Sequence, residues 1–181
     1  GYTALIMLLC FIVSNGKGQH VDKMTIEPKE YSGGQEYQSQ YFEITQSDTL
    51  VELEAFAPVD NSWVYLDMML IDAAENRIHE FSTNISYYHG YEGGESWSEG
   101  SRAKEIYLKI KDPGQYKLVV TGETPNTKEW FNKQGHVDIV IQEGVWLSRY
   151  PLAVFIFSLL WFFGEIIAKA SFSAVRWGDD A

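Results

Sequence analysis

The run YPLAVFIFSLLWFFGEII, from Tyr150 to Ile167, carries one ionisable side chain, Glu165, in 18 residues. Extended through Ala170 it reaches the roughly 20 apolar residues that a helix needs to cross a bilayer, and no small soluble core requires so long a run. The sequence therefore predicts a C-terminal transmembrane helix within residues 146–173, followed by a short tail, 174–181. Ser148 is placed to cap the helix, and Pro151 suits its first turn, where a missing N–H costs nothing. Trp146 and Tyr150 before the run and Trp177 after it are the expected interface anchors, since amphipathic rings settle at headgroup depth. Phe155, Phe157, Phe162 and Gly164 are candidate contacts with neighbouring helices. Glu165 precedes Lys169 by four residues, the favourable order for a helical ion pair, and both lie near enough to the helix end to snorkel outward; ion handling or a buried contact with a partner within the membrane is the competing role for Glu165.

A second apolar run, YTALIMLLCFIV, covers Tyr2 to Val13. Its 12 residues make about 18 Å of helix against a hydrocarbon thickness of roughly 30 Å. Residues 1–16 are thus expected to be part of a longer N-terminal membrane segment, the alternative being a retained signal anchor. With Lys169 and Arg176 following the C-terminal run, both termini are placed in the cytoplasm and the middle of the chain outside it.

That middle is acidic. From Gly18 to Ser148 there are 10 Lys and Arg against 22 Asp and Glu, a net charge of −12. Counterion release on a phosphate backbone needs clustered cations, so nucleic acid is excluded as a natural partner, and cations, neutral ligands or a basic protein surface are favoured. The plainer role of the same charge is solubility. The single cysteine, Cys10, sits in the N-terminal apolar run, which rules out an intrachain disulfide and a multi-cysteine zinc site.

Period-two segments separated by turn signals fill the middle, the spacing of an all-β sandwich. Strands are expected near Tyr41–Ile44, Thr49–Ala57, Trp63–Ile71, Ile78–Tyr87, Ala103–Lys111, Tyr116–Thr121 and Val137–Gln142. In LVELEAFA, Glu52 and Glu54 alternate with Val51, Leu53 and Ala55, so one face is wet and the other buried. Pro58 to Ser62, Ala73 to Asn76 and Asp112 to Gly114 supply turns. The expectation is a mainly β, antiparallel sandwich over residues 41–145, jelly-roll-like or immunoglobulin-like, reached through a linker and approach loop at 17–40 and flanked by transmembrane α-helices.

No P-loop, dinucleotide fingerprint, HExxH or GxSxG occurs, and His20, His79, His89 and His136 are dispersed without metal-pair spacing. The remaining candidate is YYHGYEGGESWSEGSR, residues 87–102. His89 to Gly100 is expected as a loop of about 12 residues, longer than hairpin loops usually are. Tyr88, His89, Tyr91, Glu92, Glu95, Trp97, Glu99 and Arg102 make it the candidate partner- or ligand-binding site. Glu92, Glu95 and Glu99 suit a hard cation such as calcium, Trp97, Tyr88 and Tyr91 suit a glycan or a lipid headgroup, and Glu95 with Glu99 are the pair on which an envelope hydrolase could rest. A structural role competes with all of these: the glycines turn the backbone, Trp97 and the tyrosines close one end of the sandwich, and Arg102 pairs a nearby glutamate. Asn84-Ile-Ser86 is formally a glycosylation sequon.

The order YFEI, APVDNSW, YYHGYEGGESWSEGSR, DPGQYKLVV, an apolar helix and SFSAVRW resembles the C-terminal half of a bacterial membrane-protein family known only as a domain of unknown function. The resemblance spans Tyr41 to Trp177 and is most specific in SWSEGSR, Ser96 to Arg102. It implies an extracytoplasmic sandwich between membrane helices in the bacterial inner membrane and a larger cytoplasmic portion before them, and it carries no catalytic residue. Taken together, these readings predict a non-catalytic accessory or assembly subunit, cofactor-free, whose partners are other membrane-protein subunits and the lipid bilayer. An extracytoplasmic sensor of calcium or a glycan is the alternative, and an envelope hydrolase the third.

Overall fold

The computed structural model describes residues 18–125, 136–145 and 156–169. They belong to two units, a β-domain from Gly18 to Val145 and a separate helical one. The β-domain strands are β1 (Gln19–Ile26), β2 (Tyr37–Gln38), β3 (Phe42–Ile44), β4 (Thr49–Phe56), β5 (Ser62–Asp72), β6 (Arg77–Glu92), β7 (Glu95–Ser101), β8 (Ala103–Ile110), β9 (Gly114–Glu123) and β10 (Val137–Glu143). A single turn of helix, α1 (Pro28–Tyr31), follows β1.

All pairings are antiparallel. One sheet runs β1-β10-β4-β8; the other runs β2-β9-β5-β6-β7, with β3 also pairing β9. The alternation read from the sequence explains how they stack. Thr49, Val51, Leu53 and Ala55 of β4 and Val137, Ile139 and Ile141 of β10 point inward from the first sheet. Val64, Leu66, Met68 and Leu70 of β5 and Leu118 and Val120 of β9 point inward from the second, and all the apolar ones join one core. Two sheets sharing one dry interior is the layer arrangement of a sandwich.

Residues 17–40, expected as a linker, instead contribute structure. β1 pairs β10 along its length, with a register shift between His20 and Asp22. Tyr31 of α1 is fully buried. β1 is an edge strand, so only Met24 and Ile26 need to be buried; that is too short an alternation to stand out in the sequence.

Outside the first sheet, Glu52, Glu54, Glu105 and Tyr107 crowd together, Glu52 facing Tyr107 and Glu54 facing Glu105. Tyr107 Oη donates toward Glu105 Oε2 (2.8 Å) and Glu52 Oε1 (3.2 Å). Partial burial, then the nearby Glu105 and Glu54 charges, raise the Glu52 carboxyl above its usual range, against the lowering effect of the Tyr107 bond. A raised carboxyl opposes the fold when ionised: the stability it contributes is present below the unfolded carboxyl pKa and is lost as pH rises through the folded one. Glu52→Gln should therefore raise stability at neutral pH by roughly a few tenths of a kcal/mol, the scale of a relieved cross-strand repulsion at a solvated position. Parallel melts at neutral and acid pH check this, since the gain should vanish in acid.

The second unit is described over residues 156–169, a helix, α2. Ile156, Phe157, Leu160, Trp161, Phe162, Phe163, Ile166 and Ile167 are all exposed on it. Among the described residues no helix is long and apolar enough to cross a membrane. The expected N-terminal segment, Trp146, Tyr150, Phe155 and Trp177 lie outside the described residues.

Candidate functional site

The stretch expected as a long loop is a hairpin. β6 and β7 pair from Ser86↔Ser101 to Glu92↔Glu95, and the connection is Gly93-Gly94 alone. Both glycines have positive φ, 61° and 93°, which a two-residue hairpin turn of the primed type requires and which side chains resist. The signal was present in the sequence as Gly-Gly between residues of alternating character. It was masked because Ser96, Ser98 and Gly100 are weak strand formers.

This hairpin leaves the sheet. β5 accompanies β6 only as far as Ser62↔Tyr87, whereas β6 continues to Glu92. Beyond Tyr87, among the described residues, the two strands have only each other as ladder partners, and every residue of β7 is exposed. The result is an arm of about five residue pairs, roughly 17 Å long at 3.4 Å per residue.

Cross-strand partners share a face. One face carries Tyr88, Gly90 and Glu92 opposite Glu99, Trp97 and Glu95. The Trp97 indole lies over Gly90, so that a methyl there would sit 2.8 Å from Cε2 and Cζ2. Trp97 remains 45% exposed; it covers a backbone gap in the arm rather than closing the end of the sandwich as expected. An aromatic ring laid across a strand glycine shields ladder bonds that would otherwise be open to water. Trp97→Ala should loosen the arm alone, by about 0.5–1 kcal/mol, seen as faster amide exchange at residues 88–99 with the core strands unchanged.

The other face carries Tyr87, His89 and Tyr91 opposite Gly100, Ser98 and Ser96. Tyr91 is 75% exposed. His89 and Tyr87 instead fix the arm's root. His89 Nε2 lies 2.9 Å from Asp60 Oδ1, and His89 N donates to Asn61 Oδ1 (2.9 Å). Arg102 stacks 4.0 Å from the centre of the Tyr87 ring, donates from Nε to Val59 O (2.8 Å) and from Nη2 to Asp60 (3.1 Å). The expected glutamate partner of Arg102 is thus an aspartate: Arg102 sits where β7 passes into β8 and reaches the β4–β5 connection, while the glutamates lie on the arm's opposite face.

The three glutamates stand beside two exposed aromatics. Glu95 and Glu99 share a face four residues apart, roughly 13 Å along the strand, with Trp97 between them. That separation exceeds the 5–9.5 Å of paired glycosidase carboxylates. Among the described residues, no three acidic, histidine or cysteine side chains converge in a way that could hold a metal ion. A separate polar cleft of about 370 Å³ is lined by Gln19, His20, Asp22, Tyr41, Glu43 and Thr45.

On α2, Glu165 accepts a hydrogen bond from Trp161 Nε1, 3.2 Å away and one turn earlier. Among the described residues no ion pair joins Glu165 to Lys169, the pairing expected from their spacing.

No family model matches the chain, and no curated protein does. Among solved structures, a glycosylation-associated protein (Gap123) complex from Streptococcus agalactiae is similar over 77% of this chain and 28% of that one, with 10% identity and a TM-score of 0.31. A structure of the Gx strain of infectious bursal disease virus is similar over 71% of this chain and 35% of that one, with 12% identity and a TM-score of 0.27. The chain spans about a third or less of both, and likenesses this weak carry no argument about function.

Proposed function

We propose that the chain is a membrane-tethered, non-catalytic accessory subunit whose β-domain offers the β6–β7 arm to a basic surface on a neighbouring membrane-protein subunit. The carrying observation is the arm itself: it projects past β5 with Trp97, Tyr88 and three carboxylates on one face and Tyr91 on the other. Exposed aromatics rimmed by charge of one sign are the ingredients of a docking surface, in which rings supply the anchors and charge selects the partner. The domain's net acidity adds steering toward cations at longer range. Two further features support the tether. α2 exposes large apolar side chains over most of its circumference, with Ser158, Glu165 and Lys169 on one narrow stripe, and the apolar run extends through Tyr150–Ile167. The bacterial inner membrane, an extracytoplasmic β-domain and cytoplasmic termini complete the reading.

Photocrosslinking residues placed at Tyr91 and Trp97 should trap one membrane protein from native membranes. The triple charge reversal of Glu92, Glu95 and Glu99 to Lys should abolish that adduct while circular dichroism stays native. Equal trapping from Lys109, far from the arm, or indifference to charge reversal would count against the proposal. The sensor reading predicts a different result, a higher melting temperature with calcium or an envelope glycan by mass action.

A further inference from the structure

The chain enters and leaves the β-domain at one place. Gln19, the first residue of β1, is directly paired with Glu143, the last of β10. Just before and after them the backbone is tighter still: a methyl on Gly18 would lie 2.6 Å from Val145 Cγ2 and 2.7 Å from Glu143 O. The two apolar runs of the sequence thus flank a single point of the β-domain, one before Gly18 and the other after Val145. Ile6 lies as many residues before Gly18 as Ile156 lies after Gly144. On α2, Phe157, Leu160, Trp161 and Gly164 line a shallow apolar groove.

We infer that the segment Tyr2–Val13 of this chain packs into the Phe157–Leu160–Trp161 groove, so that the two apolar runs form a helical hairpin. Counted along the sequence from the common exit, Leu5 is as distant as Phe157 and Tyr2 as distant as Leu160. Tethering at one point makes this pairing intramolecular, with a high effective concentration that a second chain or another subunit does not share. In lipid, where apolar burial gives no preference between helices, such proximity together with close packing decides which helices meet. Gly164 lowers the groove wall beside Trp161 and admits a neighbouring backbone. The inference rests on reading both runs as membrane segments.

Cysteine pairs in the full chain test it, in native membranes and with Cys10→Ser removing the natural thiol. Ala4→Cys, Leu5→Cys and Ile6→Cys are each combined with Phe157→Cys on the groove or Leu159→Cys on the opposite side of α2. After mild oxidation, protection from a maleimide-polymer mass tag, reversed by reductant, reports the disulfide. At least one Phe157→Cys pair should close within a single chain, several-fold more completely than any Leu159→Cys pair. No closure, equal closure at both positions, or a disulfide between two chains would overturn the inference. Alkaline carbonate extraction of the same samples separates the two failures: a protein released from the membrane sinks the tether, whereas a retained protein without the disulfide sinks only the hairpin.

Discussion

Glu143→Ala is expected to destabilise the β-domain by about 1.5–3 kcal/mol, the scale of losing hydrogen bonds to a carboxylate acceptor. Glu143 is 1% exposed, facing inward as the last residue of β10. Its carboxylate accepts from Thr45 N (2.8 Å), from Thr45 Oγ1 and from Gln46 N (3.4 Å). Thr45 and Gln46 lie between β3 and β4, where the chain passes from one sheet to the other. Glu143 therefore fastens the corner that joins the layers. Alanine would take away the one acceptor that a backbone donor and a hydroxyl of the exposed corner share, and would leave a cavity where the buried Glu143 side chain sat. Glutamine keeps a carbonyl oxygen and should recover part of the loss. Equilibrium unfolding of the three proteins in denaturant, followed by circular dichroism, gives the ranking; an alanine variant as stable as the parent would show that the corner holds without this carboxylate.

Gly100→Ala is expected to cost about 3 kcal/mol, the upper range for a side chain forced into a disfavoured backbone region. Gly100 has φ of 90°, and a methyl there would sit 2.1 Å from Ser86 O. Ser86 is on the strand that Gly100 is paired against, at the root of the arm. Nothing flexible can yield, because the obstructing atom is a carbonyl oxygen within the sheet. Alanine must shift β7 against β6, which should pull Arg102 away from Asp60 and free the arm. Amide exchange should accelerate from residue 86 to 101, and partner crosslinking from Tyr91 should fall with it. Gly94→Ala, at the tip, has open space around the added methyl and should cost less, reflecting backbone strain alone.

The strands with long clean alternation were legible in the sequence. Thr49–Ala57 and Val137–Gln142 correspond to β4 and β10 to within a residue, because each buries one face and wets the other. Legibility failed where a strand escapes that constraint. β1 lies at an edge and buries little, and β7 buries nothing, so neither needs the pattern that betrays a strand. The same absence of burial turned the arm into a predicted loop. Its candidate residues were found nonetheless, since Tyr88, Tyr91, Trp97 and the three glutamates are conspicuous as exposed chemistry. Their division between two faces was not legible, because it depends on knowing that Gly93-Gly94 is the whole turn. Nor could the Glu143 clamp be foreseen: it joins residues nearly a hundred positions apart, and in the sequence Glu143 reads only as one more surface charge.

The outer edge of β7 also bears on how many copies can share one patch of surface. An unpaired strand invites an identical strand to zip alongside it, and the proposed membrane tether would raise that risk by holding every copy at the same height. Antiparallel addition of a second β7 would bring Glu95 and Glu99 of each copy into register with those of the other, with no cation between them. Crowded neighbours would thus keep their arms apart, leaving each edge available to an unlike strand that brings the opposite charge.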